Sequence, residues 1–177
     1  MVRFAQCIPF LIASLGASPA ICAPQGLLNK TVTMSWSTSG TATSADGGAK
    51  GFTNINTRVV YVSSAGRTFL RMQIRSSGRK DAARGADKGP GEGSAKGSVR
   101  LEGNRLVGTE AFASGARQYV ATFDSGFSSC TLSVIDAKAG GAKIQRRGPD
   151  GVMYVVDSVS TGSPTCSIQG GNAFSGN

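Results

Sequence analysis

The sequence contains no histidine among its 177 residues. This absence excludes Ser-His-Asp and Cys-His catalytic sites and removes the commonest metal ligand. There is also no Cys-x-x-Cys pair and no acidic loop with calcium-ligand spacing, so we expect neither a metal nor a cofactor. No stretch shows a sustained helical period. The sequence therefore points away from ordinary hydrolases and towards an all-β chain.

Paired carboxylates and a Ser/Lys dyad are the catalytic arrangements that these absences leave open, and no Ser-x-x-Lys on a helix supports the dyad. Asp124 and Asp136 lie on the two strands of one predicted hairpin, and a glycosidase-like site uses two such groups. Asp124 falls at a turn, however, where aspartate is expected for its local hydrogen bonds. We therefore predict that the protein is not an enzyme and has no catalytic residues.

The N-terminus has one basic residue, an apolar middle and a small-residue end, which is the layout of a signal peptide. A membrane anchor is the competing interpretation, but the apolar part is shorter than the ~20 residues needed and is interrupted by Pro9 and Pro19. We predict cleavage between Ala20 and Ala23, with residues 1–22 as the signal. Residues 23–177 then form one periplasmic or secreted domain.

Cysteine is scarce once the signal is removed, because Cys7 and Cys22 leave with it. The remaining Cys130 and Cys166 should pair in an oxidising compartment. On the chain-entropy account this disulfide contributes about 3–4 kcal/mol.

Acidic residues are also few, with 10 against 19 lysines and arginines, for a net charge of +9. Loss of Arg3 with the signal leaves +8. An exported basic protein meets anionic envelope polymers and lipid surfaces, whereas nucleic acid is an improbable partner for it. The alternative is that the charge only maintains solubility.

The clearest pattern is a central hairpin over residues 116–137. Tyr119, Ala121 and Phe123 alternate with polar neighbours, a turn begins at Asp124, and a second alternating run starts at Cys130. We interpret this hairpin as the scaffold of the domain.

Two earlier segments supply the candidate binding residues. In the strand over residues 27–37, Val32, Met34 and Trp36 share one face, and Trp36 is either a core residue or a ligand platform. Residues 38–51 are predicted to be a long loop.

A second hairpin joins residues 58–64 to residues 67–75. In its return strand Leu70, Met72 and Ile74 point one way and Phe69 the other. Four residues on or next to the Phe69 face form a candidate anion-binding surface, the basic stripe: Arg67, Arg71, Gln73 and Arg75. Its alternative role is that of a solvated sheet face that protects an edge.

The rest of the chain completes an antiparallel meander. Residues 76–98 carry no apolar side chain larger than alanine and predict a flexible loop. Further strands are predicted over residues 98–102, 105–112, 143–146, 152–159 and 165–168. Eight to ten strands with short turns favour an antiparallel meander that closes into a small barrel of lipocalin or streptavidin size, with a two-layer β-sandwich as second choice.

Two kinds of function fit such a domain. A carrier would hold a small apolar or amphipathic ligand inside, lined by Trp36, Met34 and Met72, and needs an open cavity. A structural or interaction protein of the envelope would instead have a filled core and bind anionic polymers through the basic stripe. We expect a monomer in either case.

Two segments, Tyr61–Phe69 and Ser114–Cys130, resemble parts of small exported bacterial proteins of uncharacterised function. The resemblance implies a shared β-rich exported domain and carries no functional assignment.

Overall fold

The computed structural model describes residues 23–76, 86–87, 97–112, 115–138, 145–148 and 150–174. These residues form ten strands and one short 3-10 helix, Gln25–Leu27. The strands are β1 Lys30–Ser44, β2 Ala49–Val62, β3 Thr68–Ser76, β4 Ala86–Asp87, β5 Gly97–Glu102, β6 Arg105–Phe112, β7 Gly115–Phe123, β8 Cys130–Lys138, β9 Gln145–Arg147 and β10 Met153–Gly170. The all-β prediction is confirmed. The predicted signal over residues 1–22 lies outside the described residues.

The strands form two antiparallel sheets. One has the order β4-β3-β2-β1-β10-β9, in which β4 and β9 are short edge strands, and the other has the order β5-β6-β7-β8. The chain thus runs as a meander, and its last long strand returns to pair with β1. In the described residues no ladder joins β3 to β5 or β8 to β10, so the predicted closed barrel is not formed.

The two sheets instead pack face to face, as in the β-sandwich that was the second predicted architecture. Bulky side chains from both layers, including Trp36 of β1 and Tyr119 of β7, meet with ring centroids 5.5 Å apart. Layers separated by side chains stand about 10 Å apart, whereas hydrogen-bonded strands need about 4.8 Å. The two sheets therefore meet through their side chains, as the layers of a sandwich do.

The core lies between the layers, at the end of the sandwich where β1 begins. Alternate positions of six strands supply it, because successive side chains of a strand point to opposite faces. Its buried members are Leu27, Val32, Met34, Trp36, Val60, Val62, Leu70, Leu101, Leu106, Tyr119, Ala121 and Phe123. The predicted parity of the central hairpin is confirmed, since Tyr119, Ala121 and Phe123 are all buried.

The predicted disulfide is also confirmed. Cys130 of β8 and Cys166 of β10 are bonded, with their Cα atoms 5.6 Å apart. Because β8 and β10 belong to different sheets, the bond fastens one open seam of the sandwich.

A glycine of β6 makes room for the aromatic contact between the layers. Gly108 lies opposite Tyr119 in the register of β6 and β7. A Cβ atom at Gly108 would stand 2.0 Å from the tyrosine ring. A side chain at this position would therefore displace Tyr119 from the core.

The predicted long loop over residues 38–51 is wrong. Strand β1 continues to Ser44, a tight turn follows, and β2 begins at Ala49. The sequence here is rich in serine, threonine, glycine and alanine. Because no large apolar residue marks the inner face, the pattern did not predict a hairpin. The small inward side chains are nevertheless buried, since Thr38, Ala42 and Ser44 are only 4–7% exposed. Along this stretch β1 is also paired on both sides, with β10 and with β2.

The two strands predicted over residues 152–159 and 165–168 are in fact one strand, β10. Its register against β1 shifts at two places, and at one of them Ser163 and Pro164 together oppose Trp36. Ser163 has a positive φ of 50°. Bulges of this kind accommodate proline within a sheet, so the proline did not end the strand.

The predicted flexible loop over residues 76–98 needs a partial correction. Ala86 and Asp87 pair with Met72 and Arg71 as the short edge strand β4, and β5 begins at Gly97. Most of the loop otherwise lies outside the described residues.

Candidate functional site

The basic stripe lies along the outer face of β3, on the side away from the core. Phe69, Arg71, Gln73 and Arg75 lie opposite Tyr61, Val59, Thr57 and Ile55 of β2 in the antiparallel register. Successive residues on this face are about 7 Å apart, because the strand rises ~3.4 Å per residue. The predicted sorting of β3 is thus reproduced, and Arg67 lies in the turn just before this strand.

The members of the stripe differ in their surroundings. Arg67 and Arg75 are exposed, whereas Arg71 and Gln73 are half-buried. The guanidinium carbon of Arg71 lies 4.6 Å from the ring centroid of Phe174, which reaches over the face from the C-terminal segment. The register also places Asp87 of β4 opposite Arg71, so one acidic residue borders the stripe.

Two aromatic rings and a row of hydroxyls extend the face beyond β3. The rings of Tyr61 and Phe69 have centroids 5.6 Å apart, and the Tyr61 hydroxyl donates a 3.2 Å hydrogen bond to Asn29. Beyond β2, the same face of β1 carries Thr33 and Ser35. The outer face therefore combines charged, aromatic and hydroxyl groups.

Two of the three residues predicted to line the interior lie in the core, and the third lies beside it. Met34 and Trp36 are 0% and 1% exposed in the core, and Met72 is half-buried against it. Met34 and Met72 lie opposite Arg58 in the registers of β1 with β2 and of β2 with β3. Together with Trp36 they border a group of charged residues that the sequence interpretation missed.

The first of these missed features is a buried ion pair between the layers. Arg58 of β2 donates two hydrogen bonds to Glu110 of β6, from Nε at 2.5 Å and from Nη2 at 2.9 Å. Each side chain is 1% exposed. Parity could have shown that Arg58 points inward, since it shares the inner face of β2 with Val60 and Val62.

A second ion pair lies nearer the seam between β8 and β10. Arg117 of β7 donates a 2.5 Å hydrogen bond from Nε to Asp136 of β8, and Thr161 of β10 donates one of 2.8 Å to the same carboxylate. Partial burial alone would raise the pKa of Asp136, but these hydrogen bonds from Arg117 and Thr161 lower it below its usual value. The pair and the threonine thus connect the two sheets a second time.

Trp36 stands between these two pairs. The guanidinium carbon of Arg58 lies 5.1 Å from the centre of the indole, and that of Arg117 lies 5.5 Å from it. Burial raises the pKa of Tyr119, the carboxylate of Glu110 adds to the rise and Arg58 opposes it. The Tyr119 hydroxyl is therefore protonated at neutral pH and available as a donor.

The two aspartates that could have formed a catalytic pair are far apart. Asp124 follows the end of β7, whereas Asp136 lies opposite Arg117, near the other end of the hairpin. Six residues of strand separate Cys130 from Asp136, which corresponds to about 20 Å. Asp124 instead accepts hydrogen bonds from the backbone and side chain of Ser128, and these lower its pKa to about 2.

A third ionic cluster lies at the far end of the long sheet. Asp150 accepts hydrogen bonds from Lys50 and, at 2.8 Å, from the Tyr154 hydroxyl. These two partners lower the pKa of Asp150 to about 2, and Asp150 and Tyr154 raise that of Lys50. This cluster connects the start of β2 to the start of β10 through Asp150. We therefore interpret it as a structural contact.

The described residues offer neither a metal centre nor a membrane-spanning helix. No group of three or more cysteine, aspartate or glutamate side chains is placed there to hold a metal ion. No helix in this part of the chain is long and apolar enough to cross a membrane.

Comparison with protein-family models found no match, and comparisons with curated proteins and with solved structures found none either.

Proposed function

We propose that the protein is an exported, non-enzymatic binding domain that holds an anionic polymer of the bacterial cell envelope on the outer face of β2 and β3. One observation carries the proposal: the basic stripe lies in register beside β2 on the sheet face away from the core, with Phe69 and Tyr61 at one end. Arg67 and Arg75, near the two ends of that face, are both exposed.

The spacing of the arginines favours a chain of repeated charges over a single small anion. The exposed Arg67 and Arg75 lie about 27 Å apart along β3, at ~3.4 Å per residue. A single phosphate would contact one of them, whereas a linear polyanion can contact both. Arginine is also the residue best suited to bidentate binding of carboxylate or phosphate groups.

The aromatic rings favour a polysaccharide over nucleic acid. Single-stranded nucleic acid is bound by aromatic side chains on which successive bases stack. Tyr61 and Phe69 pack against each other at an interplanar angle of 49°, and Tyr61 is also hydrogen-bonded to Asn29. They form one apolar corner beside a row of hydroxyls, which suits a sugar ring better than a run of bases.

The test is binding of a polyuronate to the mature chain, measured by calorimetry at several salt concentrations. Replacing Arg67→Gln and Arg75→Gln together should weaken binding about tenfold at low salt, at about 0.7 kcal/mol per arginine. The matched control, Arg100→Gln with Arg105→Gln, makes the same charge change on the four-stranded sheet and should change affinity less than twofold. Binding to the wild type should fall as salt rises.

An equal loss in both double variants would show that only the net charge matters and would overturn the proposal. Salt-sensitive binding to anionic lipid vesicles without binding to the polyuronate would overturn the choice of a polysaccharide.

A further inference from the structure

The interior of the sandwich changes character along β1. Towards the start of the strand the inward side chains are apolar, as at Val32 and Met34. Beyond Trp36 they are small and mostly polar: Thr38 accepts a 2.9 Å hydrogen bond from Asn56, and both side chains are buried. Trp36 therefore marks the boundary between an apolar half and a polar half of the interior.

At this boundary two buried polar atoms lack a hydrogen-bond partner within the described residues. They are the indole Nε1 of Trp36 and the hydroxyl of Tyr119, on side chains that are 1% and 0% exposed. An unsatisfied buried polar group costs about 1–3 kcal/mol, and native proteins keep few of them. Two such groups on rings 5.5 Å apart indicate a built place for a hydrogen-bonding group.

The neighbouring charges are already compensated. Arg58 donates to both oxygens of Glu110 and, through Nη1, to the carbonyl groups of Thr57 and Gln73. The second pair, of Arg117 and Asp136, is compensated in the same way. A further ion at this depth would have no counter-charge, so burying it would be costly.

The unpartnered atoms also restrict the chemistry of what they can hold. An indole N–H can only donate, and the Tyr119 hydroxyl stays protonated and can donate too. Two neutral donors on adjacent rings can both be satisfied by one uncharged oxygen with two lone pairs. A carbonyl oxygen has this character.

We propose that Trp36 and Tyr119 form an internal binding subsite for the carbonyl oxygen of a small uncharged molecule. In this proposal the small molecule enters at the seam between β8 and β10. The hydrogen bond that Thr161 donates to Asp136 closes that seam. Asp136 is about one-third exposed there and Arg117 about one-eighth, so solvent reaches both side chains at this seam.

The experiment uses the single tryptophan as its reporter. In a ¹H–¹⁵N NMR spectrum, the one indole N–H resonance is followed while cyclohexanone is added to the mature, oxidised protein. A saturable downfield shift is expected. Methylenecyclohexane has nearly the same shape without the oxygen acceptor, and it should leave the resonance in place.

Tyr119→Phe should weaken the apparent affinity for cyclohexanone about tenfold, the loss expected for one hydrogen bond to a buried partner. The matched control is Tyr61→Phe, which removes a hydroxyl from the outer face and should change the affinity less than twofold. Retained dispersion of the amide resonances shows that each variant is folded.

Three results would overturn the proposal. A shift that grows linearly without saturation would mean weak contact only. Equal responses to the two probes would mean apolar packing. An indole N–H that shows contact with long-lived bound water and no response to cyclohexanone would mean that the subsite holds water alone.

Discussion

Arg58 and Glu110 face each other from β2 and β6 across the sandwich, and their paired hydrogen bonds form a buried ionic link between the layers. Neither side chain reaches solvent, so neither charge can be hydrated if the other is lost. Removing one partner therefore leaves the other as an uncompensated buried charge, and this charge determines how much stability is lost.

Replacement of Glu110→Gln should lower the free energy of unfolding by about 3 kcal/mol or more, because the Arg58 guanidinium stays buried without its counter-ion. Replacing both residues, Arg58→Met with Glu110→Leu, should recover most of the loss. The measurement is urea unfolding followed by the fluorescence of Trp36.

The matched control for this prediction is the exposed ion pair of Arg100 and Glu102. There Glu102→Gln should cost less than about 1 kcal/mol, since solvent screens the remaining charge. Similar losses in the two single variants would contradict a special role for the buried pair.

Loss of the disulfide should lower the free energy of unfolding by about 3–4 kcal/mol, because the bond closes a long loop in the unfolded chain. The change is Cys130→Ser with Cys166→Ser, measured by thermal unfolding with and without a reductant. Reductant should destabilise the wild type and have no effect on the double variant. Detection of two free thiols in the purified wild type would contradict the pairing.

Asp124 should govern an acid transition in the turn of the central hairpin. Its pKa is lowered to about 2 from the usual 3.8 by hydrogen bonds from Ser128 and Ser129, which favour the charged form. A lowered pKa in the folded state means that the stabilisation is complete above pH ~4 and is lost as pH falls through about 2.

Carbon NMR of the Asp124 carboxyl group should give a midpoint near 2. In Asp124→Asn the amide resonances of Ser128 and Ser129 should no longer change over this pH range. A wild-type midpoint near 3.8 would show that the turn does not depend on the carboxylate.

Alternating polarity predicted much of this fold because large apolar residues mark the inner face of the central hairpin and of β3. It failed in β1 and β2 between Thr38 and Gly51, where the inner side chains are too small or too polar to stand out. It also divided β10 at Pro164, since a bulge depends on pairing with β1, which is distant in sequence.

The candidate sites were predictable to different degrees. The outer face of β3 follows from parity within one strand, so the basic stripe was found. The group around Trp36 combines side chains from β1, β2, β6 and β7, and only the packing of two sheets brings them together. Arg58 and Glu110 have inward parity, but nothing in either strand alone shows that each provides the other's counter-charge.

The pairing of β1 with β10 has a consequence for the order in which the domain assembles. Lys30, at the start of β1, lies opposite Gly170, at the end of β10, so the central ladder of the long sheet joins nearly the two ends of the domain. Contacts so distant in sequence form slowly, because a long loop must close first. Until β10 is available, one whole edge of β1 is open to pairing with another chain. A product truncated before Met153 should therefore aggregate, and the last strand acts as this protein's own protection against intermolecular β-pairing.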